Sequence, residues 1–264
     1  MITSQEQNTG TGHHTALRTY AAADDGSGQD VNSLIENQDQ TAYMDYREDF
    51  VADSASVPGG QTDYSPTGAP VFAIVSGVGG WVSALLAADN AAMIAGYSSN
   101  DNLWLPSDRY LKKMSRVMFL DALVTAQYAL MGVSGIIESG VNPATLAGWV
   151  GAAFYLDASM VLHVKIEDGN SVSIDETLSI TVDTDVSWWY LVEHDEFGAW
   201  NFYFGPGNGL DGSLVYSTLT PDFDANQLFQ PLDVVGKSEG VTTPAIYVDC
   251  QIERMRRGPL ASQL

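Results

Sequence analysis

Aromatic side chains recur at every second position shortly after residue 199. Trp200, Phe202 and Phe204 follow this pattern, and residues 186–193 before them are rich in aromatic and β-branched side chains. Successive side chains of a strand point to opposite faces, so the three rings fall together and form an apolar anchor. Residues 194–198 supply polar side chains and a glycine between the two runs. The pattern predicts a β-hairpin against which the rest of the chain packs.

Short apolar runs separated by turn residues cover most of the remaining chain. They predict strands at residues 81–86, 91–97, 112–120, 123–132, 148–156, 161–167, 177–182, 214–218 and 245–253. Residues 118–131 also have the i, i+4 apolar spacing of a helix, so both interpretations stay open there. Residues 221–231 are interpreted as irregular. Roughly ten short strands without an internal repeat predict an all-β fold, an antiparallel β-sandwich in one domain.

One uncharged stretch, residues 69–88, is long enough to cross a membrane as a helix. Gly77, Gly79 and Gly80 interrupt its middle, and residues 71–75 favour a strand over a helix. We therefore predict a pair of strands around a glycine turn, and no membrane insertion. The first residues also lack the basic start and apolar run of a signal peptide.

The first 44 residues differ from the rest of the chain. They are polar and contain few large apolar side chains, so they cannot bury enough surface to fold alone. Scattered apolar anchor points are present at Val31, Leu34, Ile35, Tyr43 and Met44. We predict an extended N-terminal arm over residues 1–44, a β-sandwich domain over residues 45–257, and a C-terminal tail over residues 258–264. The arm is expected to become ordered on a neighbouring subunit.

The charge balance is strongly acidic. The chain has 33 acidic and 11 basic residues, a formal net charge of −22, and the acids recur from Asp24 to Glu253. Such self-repulsion destabilises a compact chain unless salt screens it, within about 3 Å at about 1 M salt. This composition favours adaptation to a very saline medium, although an ordinary acidic surface also explains it. Nucleic acid is excluded as a partner, because phosphate binding requires basic clusters. Cys250 is the only cysteine, so no intramolecular disulfide forms.

Several short motifs resemble those of concanavalin A-like (laminin G/glucanase-type) jelly-roll domains. They are Glu48-Asp49-Phe50, residues 188–191, residues 202–205 and Tyr247-Val248-Asp249. The resemblance covers about residues 46–257 and implies a jelly-roll sandwich. Domains of this family occur in lectins, in glycosidases and in virion surface proteins of tailed viruses. Together with the acidic composition, the resemblance implies a virus of haloarchaea.

Glucanases of this family carry E-x-D-x-x-E or E-x-D-x-E on one strand, and retaining chemistry places its two carboxyl groups about 5 Å apart. The nearest match here is Glu193-His194-Asp195-Glu196. Phe197 or Gly198 stands where the final carboxylate is required. We therefore expect no enzyme activity and assign no catalytic residue.

A lectin-type site requires an aromatic platform beside Asp or Asn side chains. Suitable residue types are present at Trp104, Trp200, Asn201, Asn208, Asp222 and Asp224. Each is equally well explained as a core, turn or surface residue, so none is assigned to a site. No metal ligand or cofactor-binding residue is assigned either. His163 alternates with apolar neighbours and is interpreted as a partly buried strand residue.

Arg254, Arg256 and Arg257 form one basic cluster. It either docks on an acidic neighbour in an assembly or pairs with carboxylates of this chain. The sequence is interpreted as a structural virion protein of a halophilic virus, as a capsid decoration, turret or fibre component at the virion surface. Its expected partners are other virion proteins, further copies of this chain and host-surface glycans. The alternative is a carbohydrate-binding, lectin-like module, and a glycoside hydrolase is disfavoured.

Overall fold

The computed structural model of the protein describes most of the sandwich. The described residues are 43–48, 61–64, 68–75, 80–98, 105–106, 110–135, 142–169, 173–195, 197–206, 212–220, 223 and 227–256. Within these ranges the chain forms sixteen β-strands and no helix, so no described helix is long and apolar enough to cross a membrane. Residues Asp45–Arg256 form one compact unit.

The strands form two eight-stranded sheets. Sheet A contains β1 (Tyr43–Glu48), β3 (Val71–Ile74), β4 (Val82–Leu85), β7 (Leu111–Met118), β12 (Ser187–His194), β13 (Trp200–Pro206), β14 (Ser213–Thr218) and β16 (Ala245–Arg256). Sheet B contains β2 (Gln61–Tyr64), β5 (Met93–Ser98), β6 (Leu105–Pro106), β8 (Gln127–Ser134), β9 (Gly151–Leu156), β10 (Val161–Glu167), β11 (Ser173–Thr181) and β15 (Leu228–Lys237).

The strand order is β14-β13-β12-β7-β16-β4-β3 in sheet A and β11-β10-β9-β8-β15-β5-β2 in sheet B. Strand β1 pairs with β16, and β6 pairs with β15. All pairs along both orders are antiparallel. The predicted antiparallel β-sandwich is confirmed.

The predicted hairpin is confirmed as β12 and β13, which pair from Trp188 opposite Pro206 to His194 opposite Trp200. The rings of Trp200, Phe202 and Phe204 all point inward and are buried. In sheet B, Phe154 meets Phe202 edge to face, with ring centroids 5.3 Å apart. Because the rings of one sheet contact those of the other, the hairpin anchors the core as its alternation predicts.

Residues 118–131 adopt no helix. Strand β7 ends at Met118 in sheet A and β8 begins at Gln127 in sheet B, so this stretch crosses from one sheet to the other. Every residue of β8 is buried. Its outer face is covered by residues 142–149, where Trp149 packs against Leu130 and Tyr128 donates a hydrogen bond to the Pro143 carbonyl at 2.7 Å. Burial on both faces produces a continuous apolar run without strand alternation, which explains the helix-like spacing.

The glycine-interrupted stretch, residues 69–88, forms the expected pair of strands. Val71 pairs with Leu85 and Ile74 with Val82 in an antiparallel register. The predicted arm and its anchor points lie outside the described residues, apart from the backbone of Tyr43 and Met44 in β1. The division of the chain into arm, sandwich and tail therefore stays a prediction.

The interpretation of residues 221–231 as irregular is wrong from Leu228 onward. Strand β15 runs through the middle of sheet B, between β8 and β5. Its sequence contains a proline, an aspartate and a lysine, which are depleted from central strands. Lys237 is nevertheless buried, and its Nζ donates to the Ala87 and Asp89 carbonyls, both at 2.7 Å. These hydrogen bonds to backbone carbonyls compensate the cost of burying the ammonium, so a lysine is tolerated in a central strand.

Candidate functional site

Trp200, one of the residue types suited to a sugar platform, belongs to the core. Its side chain is fully buried, and its ring lies 5.9 Å from the ring of Phe229 in sheet B and 5.5 Å from that of Phe223. The His194 ring stacks on it at 4.7 Å. An aromatic ring enclosed by other rings offers no face to a saccharide, so this candidate is excluded.

The positions that alternate with the inward rings form the outer face of sheet A. Glu193 on β12 lies opposite Asn201 on β13 and Lys112 on β7. We call the following group the hairpin cluster: Tyr110, Lys112, Glu193, Asn201 and Tyr203. Its members come from two segments about eighty residues apart in sequence, which the β7–β12 pairing brings together. The pleat of three adjacent strands places their side chains on one face.

Lys112 is the charged centre of the hairpin cluster. Its Nζ lies 3.0 Å from Glu193 Oε1 and 5.0 Å from the centroid of the Tyr110 ring. Burial lowers the pKa of Lys112, but hydrogen bonds to Tyr110 and Glu193 outweigh burial and raise it. The ammonium is therefore charged at neutral pH, with 29% of the side chain still exposed. Both side chains lie on the outer face of the sheet, where Glu193 is largely buried beneath its neighbours, with 11% of its side chain exposed.

Asn201 connects the hairpin cluster to the turn. Its Nδ2 donates to Asp195 Oδ2 at 3.0 Å, and its Oδ1 accepts from the Ser217 hydroxyl at 2.7 Å. The other Asp195 oxygen accepts from the backbone N–H groups of Phe197 and Ala199 at 2.8 and 2.9 Å. Burial raises the pKa of Asp195, but these hydrogen bonds outweigh it and lower the pKa. The side-chain amide of Asn201 is thus held in one orientation.

Tyr203 supplies an aromatic ring beside the polar groups. It lies opposite Leu191 on β12, and it is half-buried. Burial, followed by the nearby Glu193 charge, raises the pKa of its hydroxyl, which therefore remains a hydrogen-bond donor at neutral pH. Leu214 on the edge strand β14 lies opposite Tyr203 and is exposed. The hairpin cluster therefore has an apolar border next to its polar groups.

Two of the three carboxylates of the glucanase-like motif, those of Glu193 and Asp195, are engaged in structural contacts, and Glu196 lies outside the described residues. Glu193 pairs with Lys112 on the sheet face, and Asp195 closes the hairpin turn. Phe197, at one of the two positions where the final carboxylate is expected, projects into solvent with 82% exposure. Among the described residues of the motif, Glu193 and Asp195 do not face each other across a cleft as the nucleophile and acid of retaining hydrolysis do.

A second polar cluster lies on the outer face of sheet B. His163 Nδ1 is 2.9 Å from Asp175 Oδ1, and its Nε2 is 3.5 Å from Asp157 Oδ2. The Tyr155 ring meets the imidazole edge to face at 5.6 Å. His163 is partly buried on β10, as its alternation predicts. Most polar atoms of this second cluster pair with one another.

The remaining sequence candidates are divided between the sandwich and the undescribed segments. Trp104, Asn208, Asp222 and Asp224 lie outside the described residues. Arg254 is buried on the outer face of sheet A, whereas the side chain of Arg256 and all of Arg257 are not described. Over the described ranges, no three His, Cys, Asp or Glu side chains are grouped as a metal ion would require.

Comparison with solved structures identifies the fold. A carbohydrate recognition domain of Emp47p superposes with a TM-score of 0.54 and 10% identity, covering 84% of this chain and all of that domain. Peanut lectin bound to a nine-residue peptide gives 0.55 and 8%, with 81% and 97% coverage. The fold is a concanavalin A-like jelly roll.

A protein of unknown function from Shewanella oneidensis MR-1 shares the jelly roll as well, with a TM-score of 0.57 and 13% identity over 87% of this chain and 96% of that one. No family model matches the sequence, and no curated protein matches it. At these identities the superpositions establish the fold alone. The concanavalin A-like resemblance seen in the sequence is confirmed at that level, while viral or haloarchaeal origin stays a prediction.

The sequence identified Asn201 as a suitable residue type for a sugar site and Glu193 as part of the incomplete glucanase motif, but it did not connect them with Tyr110, Lys112 and Tyr203. The alternation along β13 predicts two members of the hairpin cluster. Once Trp200, Phe202 and Phe204 point inward, Asn201 and Tyr203 must point outward on the same strand. The contribution of β7 follows only from the strand order of sheet A, which no local pattern reveals.

Proposed function

We propose that this protein is a glycan-binding module and that the hairpin cluster is its binding site. The observation that carries the proposal is the grouping of two tyrosine rings with an ammonium, a carboxylate and an oriented amide on one solvent-facing strand surface. Lectin domains among the structures with the same jelly roll support the proposal at the level of fold. They do not specify which residues bind.

The chemistry of a saccharide fits this group. A sugar ring has an apolar face of C–H groups, which packs on an aromatic ring, and hydroxyls that each donate and accept hydrogen bonds. Tyr203 offers the ring and Lys112 donors, while Glu193 and Asn201 accept. Because Asn201 is fixed by Asp195 and Ser217, little side-chain freedom is lost on binding.

The expected ligand is a neutral saccharide. The chain carries a net charge of −22, and Glu193 and Asp195 add negative charge at the cluster itself. Such a field repels sialylated or sulfated glycans and lowers their association rate, whereas an uncharged hexose is unaffected. The ammonium of Lys112 is paired with Glu193, and Arg254 lies opposite Lys112 on β16, so the two cations offset the two local carboxylates and the net charge of the chain sets the field.

A glycan array tests the proposal. The full-length protein carries a detection label outside the sandwich domain. It is applied to neutral, amino, sialylated and sulfated glycans at several salt concentrations. Retention on neutral glycans that persists at high salt is the expected result. Retention only on anionic glycans, or on none, contradicts it. A Tyr203→Ala variant distinguishes binding at the hairpin cluster from binding elsewhere.

A place on the surface of a halophilic virus is compatible with glycan binding and remains the second candidate. What supports it is the acidic composition and the occurrence of this fold in virion proteins. In that case the module attaches a particle to a glycosylated host surface, with virion proteins or further copies of this chain as partners. Mass spectrometry of purified particles from a saline source tests it, and absence of this chain from them counts against it.

A further inference from the structure

A group of charged side chains lies in the core between the two sheets, on the opposite face of sheet A from the hairpin cluster. Lys113 on β7 and Asp233 on β15 have no exposed surface, and Glu253 on β16 is 1% exposed. Lys113 Nζ is 3.1 Å from Asp233 Oδ2 and 3.4 Å from Glu253 Oε1. The three side chains come from both sheets, since Lys113 and Glu253 are cross-strand neighbours in sheet A and Asp233 belongs to sheet B.

Hydrogen-bond donors surround the Asp233 carboxyl group. Its Oδ1 accepts from the Tyr190 hydroxyl at 2.5 Å, and its Oδ2 accepts from the Ser115 hydroxyl at 2.8 Å and from Gln251 Nε2 at 2.5 Å. Lys113 Nζ also donates to the Ser115 hydroxyl at 2.7 Å. The amine, the carboxyl group and their partners are therefore fixed in position without access to water.

Burying this group as ions is costly. Moving an ammonium and a carboxylate into a core requires several kcal/mol for each ion, which their attraction repays only in part. Condensation of the amine with the carboxyl group removes both of these charges and leaves a neutral amide. Its oxygen keeps the Tyr190 hydroxyl as a donor, and its N–H can donate to the Ser115 hydroxyl oxygen. A nucleophile (Lys113), an electrophile (Asp233) and an acid–base group (Glu253) are thus held together in one closed site.

We propose that Lys113 and Asp233 join in an intramolecular amide bond between their side chains. Glu253 first takes one proton from the ammonium, which frees the lone pair of Nζ. This lone pair attacks Cγ of Asp233, forming the C–N bond, and the bond from Cγ to Oδ2 then breaks. Two of the three ammonium protons leave with Oδ2 as water, and the third remains on the amide nitrogen. The reaction is Lys–NH₃⁺ plus Asp–COO⁻ giving the amide and water, so no oxidant or other reactant is needed.

Glu253 is the catalytic acid–base residue of this step. Its Oε1 lies 3.4 Å from Nζ, accepts one ammonium proton before the C–N bond forms and returns it to the departing oxygen, whereas the second proton passes directly from Nζ to Oδ2, 3.1 Å away. Tyr190 donates to Oδ1, where negative charge develops in the tetrahedral intermediate. Burial and the Asp233 charge raise the pKa of the Tyr190 hydroxyl, which therefore stays protonated.

The amide joins the two sheets covalently. It links β7 of sheet A to β15 of sheet B and closes a loop of roughly 120 residues, which restricts the unfolded chain as a disulfide of similar span does. The chain has one cysteine, so no internal disulfide competes with it. Loss of the bond is expected to lower the melting midpoint by roughly 10–20 °C.

Mass spectrometry of the purified full-length protein decides the question. We expect the denatured wild-type chain to be lighter than its sequence by the mass of one water molecule, and a proteolytic digest to contain a branched peptide joining residue 113 to residue 233. Glu253→Gln, which keeps the shape of the side chain, should retain the full mass of its own sequence. Lys113→Arg is the second control, because it keeps the charge but cannot form the amide under these conditions.

Three results overturn the proposal. One is a wild-type mass that equals the sequence mass. Another is a missing water that persists in Lys113→Arg, which places the dehydration elsewhere, for example at an Asp-Gly step. The last is a branched peptide that joins other residues. Each measurement uses denatured protein, so a variant that folds poorly still gives an answer.

Discussion

Trp200 of sheet A meets Phe229 of sheet B edge to face, with ring centroids 5.9 Å apart and ring planes at 83°. The contact lies where the hairpin turn ends at the start of β13 on one sheet and where β15 begins on the other. It joins the hairpin to the strand that sequence patterning did not reveal. The stability of the sandwich should therefore depend strongly on this tryptophan.

Trp200→Ala is expected to lower the free energy of unfolding by about 3–5 kcal/mol, because it removes a fully buried ring and leaves a cavity. Denaturant unfolding measures the loss. Phe197→Ala, which removes an exposed ring three residues earlier, is the control and should change stability by less than about 0.5 kcal/mol. Equal effects of the two substitutions would contradict the inward placement of Trp200.

Asp195 makes the hairpin turn sensitive to acid. Its hydrogen bonds lower its pKa in the folded protein below the unfolded value, so its contribution is present above about pH 4 and is lost as the pH falls through the folded pKa. Asp195→Ala should cost about 1–2 kcal/mol at neutral pH. Asp195→Asn is the matched control, because its side chain keeps an acceptor but does not titrate.

Unfolding of the wild type and Asp195→Asn is compared between about pH 6 and about pH 2. The wild type should be the more stable protein at the upper end, and the difference should shrink as the pH falls. A difference that is constant across this range would show that the carboxylate charge does not contribute.

The hairpin could be predicted from its alternating rings, but β15 could not. A strand with Pro231, Asp233 and Lys237 violates ordinary strand composition. These residues are accommodated by contacts that are remote in sequence: Asp233 meets Lys113, and Lys237 meets the carbonyl of Ala87. Local patterns report the burial of apolar side chains, whereas the satisfaction of buried charges depends on which strands become neighbours.

The hairpin cluster could be predicted only in part, because local patterns do not reveal which strands become neighbours. Glu193 and Asn201 are close in sequence, but Lys112 joins them only because β7 pairs with β12. Trp200 had the right residue type for sugar binding and the wrong face. A single strand can therefore reveal which positions share a face, and the strand order decides which groups meet there.

The acidic composition predicts salt dependence. Repulsion among charges that sum to −22 is screened over about 10 Å at 0.1 M salt and about 3 Å at 1 M. The melting midpoint is expected to rise between ~0.1 M and ~3 M potassium chloride, concentrations that bracket these screening lengths. The control is a melt in sucrose at the same water activity as the potassium chloride solution, because sucrose does not screen charge. An unchanged midpoint in salt would refute adaptation to a saline medium.

Hydrolysis of β-glucans and related polysaccharides is not expected, since Glu193 is paired with Lys112 and Asp195 closes the turn. Reducing-sugar assays of the wild type and Glu193→Gln test this directly. Release of sugar by the wild type that disappears in the variant would establish an enzyme. Equal background in both proteins agrees with a binding role.

Calorimetric titration of a neutral oligosaccharide selected on the array tests the central proposal most directly. Tyr203→Ala removes the ring of the hairpin cluster, while Tyr155→Ala removes a half-buried tyrosine ring from the outer face of sheet B. We expect Tyr203→Ala to weaken binding about tenfold, or ~1.4 kcal/mol, and Tyr155→Ala to leave the affinity unchanged. Unchanged affinity in Tyr203→Ala, with or without loss in Tyr155→Ala, would contradict binding at the hairpin cluster.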